Sequence, residues 1–471
     1  MVTKQVLLRR LPAISTILED PRIKELGKDY PHLLVSETAS EVVQQLRQAV
    51  LDAAGQELDD QDYGLNDIIT LVEEQVAQKT RPHLRRVVNA TGIVLHTNLG
   101  RAVLAKEAVR AVTEVAGRYS NLELDIETGE RGTRYSHVED LLCRLTGAEA
   151  GLVVNNNAGA VLLVLSALAK GREVIVSRGQ LVEIGGSFRI PDVMKQSGAV
   201  LVEVGATNKT HLRDYEEAVN EETAMLLKVH TSNYKIIGFA AQVSTHDLVK
   251  LGREKAIPVY DDLGSGVLID FSRFGIAHEP TVRESVKAGV DIVTCSGDKL
   301  FGGPQGGIIV GRRELISRIK KHPLTRALRV DKFTLAAMEA TLRLYIDEEK
   351  VVEKIPTLAM ITMSRDELKQ RAQRLAAGIK AKAALNCEVD ILEGYSQVGG
   401  GALPEENITT YLVSVNPLKL AVNQLEERLR SMEPPVLARI QKDRLLLDSR
   451  TLLEGDIELI SDYLSKILEV G

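Results

Sequence analysis

The sequence is poor in cysteine. Its three cysteines, Cys143, Cys295 and Cys387, lie far apart and without C-x-x-C spacing, which excludes a disulfide framework and a cysteine zinc site and leaves reduced core thiols. Long apolar runs are missing too. No stretch approaches the roughly 20 residues that cross a bilayer, and the N-terminus MVTKQVLLRRLPAISTILED has neither the apolar stretch nor the small-residue cleavage site of an export signal. The expectation is a folded protein of the cytoplasm with no membrane partner. An excess of basic charge is also absent: 59 basic against 65 acidic side chains give a net charge of -6, so the global basicity that commonly accompanies nucleic-acid binding is lacking. No metal is expected either, because histidine and carboxylate never reach metal-binding spacing.

What is present fits a soluble chain of several domains. At 471 residues it exceeds the 250–300 or so at which one core stops growing, and 44 % hydrophobic with 26 % charged residues is ordinary for globular proteins. The acid is local. Residues 1–50 hold seven basic and six acidic side chains, whereas 51–80 hold one and eight. Within that acidic stretch Leu65, Ile68, Ile69, Val72 and Val76 recur at helical spacing behind Asn66 as a cap, predicting an amphipathic linker helix over 66–87. Before it, apolar clusters punctuated by Pro12, Pro21, Gly27 and Pro31 predict a small helical module over 1–65.

From about residue 88 short β-branched runs alternate with longer amphipathic segments: GLVVNNN, REVIVS, AVLVEVG, AMLLKVH, AIPVYDDLG, DIVTCSGDK and GGIIVG. Continuous apolar strands separated by helices predict an α/β domain over 88–345 whose mostly parallel sheet is covered on both faces, with ligands at the carboxyl ends of the strands. Beyond it, a Ser364-x-x-Glu367 capping box and the strands ITTYLVSV, VLARIQ and RLLLD predict a smaller α+β domain over 346–471. Gly399-Gly400-Gly401 ahead of Pro404 predicts a mobile loop, of use near a ligand.

The chemistry concentrates at strand ends. Ser296-Gly297-Asp298-Lys299 follows DIVTC and precedes a glycine-rich turn. A lysine embedded there loses water, its pKa falls, and its free amine becomes available for a Schiff base. Asp261-Asp262, 38 residues earlier, ends the strand AIPVY, where either carboxylate could hold a pyridine nitrogen protonated. Asn155-Asn156-Asn157 lies between a strand and a helix, and the helix start suits a phosphate, to which Ser296 adds a hydroxyl. Phosphate turn, strand-end Asp and lysine thus occur in the order expected of a pyridoxal phosphate site. Histidines 96, 137 and 230 serve either as proton relays or as hydrogen-bonded core residues.

With these motifs the chain resembles the fold-type I pyridoxal phosphate enzymes, with an aspartate aminotransferase-like large domain. It resembles most closely the bacterial selenocysteine synthases, the L-seryl-tRNA(Sec) selenium transferases. The resemblance runs through NATGIVLHTNLGRA from Asn89, GERGTRYSHVE ending at Glu139, SGDKLFGGPQGGIIVG from Ser296, HPLTRALRVDKFTLAAMEATL from His322 and PPVLARIQKDRLLLDSRTL from Pro434. It implies that Lys299 carries pyridoxal 5'-phosphate, that Asp261 pairs with its nitrogen, and that Asn156, Asn157 and Ser296 receive its phosphate. Gln180 stands where many such enzymes place a stacking ring. The resemblance further implies conversion of seryl-tRNA(Sec) through aminoacrylyl-tRNA, with Asp298 assisting departure of the hydroxyl. Arg101, Arg326 and Arg329 would bind selenophosphate, and Arg326 and Arg329 share a helical face. The N-terminal module, with Arg9, Arg10, Arg22, Lys24 and Lys28, would read the tRNA body, and dimers would assemble into a ring, a decamer. The competing activity is a pyridoxal phosphate lyase on a small amino acid or amino sugar, without tRNA.

Overall fold

Proline and a capping aspartate start one of the first helices: Asp20 accepts from the Arg22 backbone N–H at 2.8 Å, and Pro21 occupies the first turn, where no donor is missed. The computed structural model describes residues 4–52, 64–184, 188–383, 385–404 and 406–469, and the chain divides into two compact units, Met1–Arg86 and Val87–Gly471. In the first, the helices Lys4–Arg10, Ile14–Glu19, Pro21–Asp29, His32–Asp52 and Leu65–Thr80 enclose a core built from residues such as Ile17, Ile23, Val35 and Val42. The helix expected after residue 65 forms, but Gly64, not Asn66, caps it. Its Ile68, Ile69, Val72 and Val76 are buried in the core of this unit, while Leu65 is exposed.

The second unit is built on seven strands, one for each apolar run read from the sequence. They are β1 (Ala150–Val154), β2 (Glu173–Ser177), β3 (Val200–Val204), β4 (Thr223–Val229), β5 (Val259–Gly264), β6 (Ile292–Ser296) and β7 (Gly307–Gly311). Their spatial order is β1-β7-β6-β5-β4-β2-β3. Only β7 runs antiparallel to its neighbours; every other pairing is parallel. Successive side chains along each strand enter opposite cores. Val153, Ile175, Leu226, Val259 and Val293 pack on one face, and Leu152, Val154, Val174, Met225, Tyr260 and Ile292 on the other. This two-sided burial is why the strands read as continuous apolar runs rather than alternating ones.

A second, antiparallel sheet follows: β8 (Cys387–Gln397), β9 (Asn407–Pro417), β10 (Arg439–Gln441) and β11 (Arg444–Asp448), ordered β8-β9-β11-β10. The helix Arg365–Ala383, opened by Ser364 Oγ accepting from Glu367 N–H at 3.2 Å, packs against it together with the helix Asp456–Glu469. Strand β8 was not legible in the sequence, because Glu388, Asp390, Glu393 and Gly394 interrupt its apolar pattern. The sheet ends in a buried polar knot. Asp448 accepts from Ser396 and Thr410 at 2.8 and 2.9 Å. Arg450, fully buried, donates from Nε to Ser396 at 2.9 Å and from Nη2 to the Thr409 carbonyl at 2.6 Å, while Nη1 reaches the Met360 carbonyl. Gly92 meets this knot with φ +76°, and a Cβ there would stand 1.9 Å from Asp448 Oδ2, so the glycine of NATGIVLHT is required by close approach.

Candidate active site

The carboxyl ends of β1, β4, β5 and β6 open on one side of the sheet, and a cavity of about 280 Å³ lies there. Arg101, Asn156, Asn157, Ser296, Asp298 and Lys299 all line it. Six of the nine side chains expected from sequence therefore converge, because each occupies a strand end, the turn after it, or the loop at 96–102 that reaches over the same edge.

Lys299 is only 4 % exposed. Burial pulls its amine below the ordinary lysine range, and the nearby Arg101 guanidinium adds to the effect against the opposing pull of Asp262, Asp298 and Glu279. Asp298 accepts from Arg101 Nη1 at 2.8 Å. Arg101 itself sits in the left-handed region, φ 62°, an uncommon and strained conformation for a side chain of this size. The chain holds it there through its N–H to His96 O and the following Ala102 N–H to Asp298 O. The triplet Gly399-Gly400-Gly401 takes positive φ throughout, and a Cβ on Gly401 would lie 4.0 Å from Lys299 Nζ. Backbone from the C-terminal half of the chain thus stands directly beside the amine.

The strand-end carboxylate facing the cavity is Asp262, which corrects the expectation of Asp261. Adjacent strand residues point to opposite faces. Asp262 lines the cavity, accepting from Asn157 Nδ2 at 2.8 Å and from Thr294 Oγ1 at 3.1 Å, whereas Asp261 turns away and accepts from Ser285 Oγ at 2.7 Å. Burial raises the pKa of both carboxyls; Asn157 and Thr294 oppose the rise at Asp262, and Lys228 and Ser285 at Asp261. Asn156 caps the helix Asn157–Leu168 by accepting from Gly159 N–H at 2.8 Å, so its side chain is occupied while the helix start opens on the cavity. Gln180 is no stacking partner: it is buried and its Oε1 accepts from Val229 N–H at 3.0 Å. Phe188, overlooked in the sequence, lines the cavity instead.

Arg326 and Arg329 do not join Arg101 within the chain. They line a separate cavity of about 370 Å³ with Arg131, Arg134 and Lys320, where Glu123 accepts from Arg134 at 2.8 Å, Arg131 at 3.1 Å and Arg329 at 3.5 Å. Arg326 lies in the short helix Leu324–Ala327, whereas Arg329 lies beyond its end and bridges to Val154, so the expected shared helical face does not form although both side chains line this cavity. Of the histidines, His137 Nε2 contacts the Leu122 carbonyl at 3.2 Å and His96 Nδ1 is buried without a hydrogen-bond partner among the described residues, while His230 lines the Lys299 cavity.

The family model described as L-seryl-tRNA selenium transferase matches residues 87–453, and one described as selenocysteine synthase N terminal matches 8–47. The chain belongs to the L-seryl-tRNA selenium transferase family. It is 54 % identical to the L-seryl-tRNA(Sec) selenium transferase of Desulfomicrobium baculatum over 98 % of this chain and 99 % of that one. It is 52 % identical to the Geobacter sulfurreducens protein of the same name, over 97 % and 98 %. Among solved structures, D-glucosaminate-6-phosphate ammonia-lyase superposes with a TM-score of 0.57 at 23 % identity, covering 84 % of this chain and 98 % of that one. The α/β fold expected from the sequence, with its mostly parallel sheet and smaller C-terminal sheet, is thereby borne out.

The residues at the sheet edge of this selenium transferase family member fit pyridoxal phosphate. Asn157 Oδ1, which lines the cavity, is buried without a hydrogen-bond partner among the described residues. Such an orphaned group typically costs about 1–3 kcal/mol, which a polar ligand relieves. Lys299 matches an aldehyde, Asp262 a protonated ring nitrogen, and the helix start at Asn157 with Ser296 a phosphate.

Proposed function

We propose that this chain converts L-seryl-tRNA(Sec) into L-selenocysteinyl-tRNA(Sec), using pyridoxal 5'-phosphate as cofactor and selenophosphate as selenium donor. The observation that carries the reading is Lys299, buried beside Asp262 and the Asn157 helix start, in a chain that matches its family along nearly its whole length. When bound, the cofactor supplies an electron sink for negative charge at the substrate Cα. Asp262 provides the fixed negative charge that keeps the sink electron-poor. Lys299 Nζ, its pKa lowered by burial, takes the Cα proton and later returns it. The serine hydroxyl leaves as water, and selenium takes its place on Cβ. Arg101, held in the same cavity, presents a guanidinium to the anionic donor. Arg326 and Arg329 are assigned to the same selenophosphate chemistry, in a basic cavity suited to a phosphate-type anion.

The helical module at 1–65 is assigned to the tRNA body, 88–345 to catalysis and 346–471 to closing the site. RNA can be held through backbone and shape on a local patch, so a net charge of -6 is no obstacle. Within that module Arg22 is already bonded to Glu73 and Thr70, and Lys28 to Glu25 at 2.5 Å, so exposed Arg9 and Lys24 are better placed for phosphate contacts. The assembly is assigned as a decamer built from dimers. We place the reaction in the cytoplasm, where tRNA is charged; among the described residues no helix is long and apolar enough to cross a membrane.

The deciding experiment incubates purified holoenzyme with seryl-tRNA(Sec) and selenophosphate and analyses the amino acid on the tRNA. Selenocysteine is expected. Unchanged serine, alongside turnover of a free amino acid or amino sugar, would overturn the assignment in favour of a lyase.

A further inference from the structure

Departure of the serine hydroxyl needs a proton donor, and Asp298 is badly placed to be one. Its Oδ2 is taken up as an acceptor by Arg101 Nη1 at 2.8 Å. Lys299 Nζ is engaged at Cα, and Asp262 accepts from Asn157 and Thr294. The remaining ionisable side chain lining the cavity, among the described residues, is His230.

His230 stands one residue beyond β4, where its backbone N–H donates to the Asp262 carbonyl at 2.9 Å and pins it beside the carboxylate strand. Its Nδ1 lies 3.3 Å from the Leu263 carbonyl and 3.5 Å from Glu279 Oε1. A carbonyl and a carboxylate can only accept, so Nδ1 carries a proton and Nε2 is the nitrogen left to exchange one. Glu279 is 5 % exposed and its Oε1 has no hydrogen-bond partner among the described residues. The Leu263 carbonyl holds the tautomer by accepting from Nδ1, and Glu279 Oε1, 3.5 Å from the same nitrogen, sets a buried carboxylate beside the ring.

We propose that His230 Nε2 is the general acid that protonates the departing hydroxyl, with Glu279 as its positioning residue. The assignment rests on the seryl-tRNA reading above. As the Cβ–O bond breaks, its electron pair leaves with oxygen. The Nε2 proton joins that oxygen, water departs, and His230 is left neutral with its proton on Nδ1. The proton taken from Cα remains on Lys299 Nζ.

A substrate whose leaving group needs no proton separates this role from a structural one. Holoenzyme and the variants His230→Gln and Glu279→Gln are each given seryl-tRNA(Sec) or β-chloroalanyl-tRNA(Sec), with selenophosphate, and the cofactor absorbance of each protein is recorded. His230→Gln is expected to lose about 10²–10⁴-fold in kcat on the seryl substrate, but less than about tenfold on the chloro substrate, whose chloride leaves unprotonated. Glu279→Gln should show a smaller deficit, also confined to the hydroxyl substrate. Equal losses on both substrates, or no loss on the seryl one, overturn the assignment. If His230→Gln fails to hold cofactor, Glu279→Gln decides on the same criterion. A wild type that leaves seryl-tRNA(Sec) unchanged overturns the function reading and this proposal with it, whereas a wild type that converts both substrates beside a substrate-independent His230→Gln deficit overturns the His230 role alone.

Discussion

Asn157 Nδ2 donates to Asp262 Oδ1 at 2.8 Å, so one side chain ties the helix start suited to a phosphate to the carboxylate suited to a pyridine nitrogen. The two groups suited to opposite ends of pyridoxal phosphate are thereby tied by a contact between the helix start after β1 and the end of β5. The neighbouring Asp261 does not line the cavity; its Oδ2 accepts from Ser285 behind the strand, and its buried Oδ1 has no hydrogen-bond partner among the described residues.

Asp262→Asn should therefore lower kcat by at least about a hundredfold, the scale of losing one preorganised electrostatic partner, and should shift the absorbance of the bound cofactor. Asp261→Asn, which preserves an acceptor for Ser285, should leave both within a few-fold of wild type. Spectra and turnover of the two variants side by side check the assignment; the reverse pattern would restore Asp261.

Arg101 should set the pH range in which Lys299 works. An amine held below its ordinary pKa is neutral, and competent as a base, at pH values above that lowered pKa; activity falls as pH drops through it. Arg101 is one of the groups doing the lowering. Arg101→Gln removes that charge, so Lys299 rises toward its usual range and the acidic limb of the profile moves to higher pH. The clean readout is exchange of the seryl Cα proton with solvent in the absence of selenophosphate, which does not depend on the donor that Arg101 is assigned to bind. An unmoved limb would show that burial alone governs the amine.

Much of this was legible because strand ends are legible. The seven apolar runs became β1 to β7, and a residue placed at the end of a parallel strand has few other places to point, so Asn157, Ser296, Asp298 and Lys299 could be brought to one edge before any coordinates. The choice between Asp261 and Asp262 was not open to the same reasoning. It turns on which face of β5 looks toward the cavity, and a one-residue change of face leaves composition and spacing untouched. Pairings across long separations were equally hidden: Arg101 with Asp298 spans 197 residues, and His230, just beyond β4, meets Glu279 from the segment that follows β5, the strand paired with β4. Strand β8 escaped notice because several of its residues face solvent, which broke the apolar run that the other strands display.

Arg450 should be indispensable to stability rather than to chemistry. Burial pulls its guanidinium down to about 10, with Asp448 opposing, so it remains charged at neutral pH inside the core. Arg450→Met would strip donors from Ser396 and from the Thr409 and Met360 carbonyls and leave Arg439, at 3.4 Å, to face the buried Asp448. Breaking one side of such a network costs about 3–5 kcal/mol, to be read as a lowered midpoint in denaturant unfolding. A loss under about 1 kcal/mol would mean that water enters and replaces the guanidinium.

Removing the first unit should separate RNA binding from cofactor binding. The cut belongs after Arg86 and not at residue 65, because Ile68, Ile69, Val72 and Val76 bury their side chains among Ile17, Val35 and Val42 of that unit. A truncation that kept the helix Leu65–Thr80 alone would expose this stripe to water and invite aggregation. A chain starting at Val87 retains the Lys299 cavity, every strand of both sheets described above and the Asp448–Arg450 knot. It should bind cofactor with the wild-type spectrum, yet lose measurable affinity for tRNA(Sec) in a filter-binding titration at fixed salt, since phosphate contacts weaken steeply as salt rises. Retention of full tRNA affinity by the truncated protein would move RNA recognition to the second unit, with the basic cavity of Arg326 and Arg329 as the place to test next.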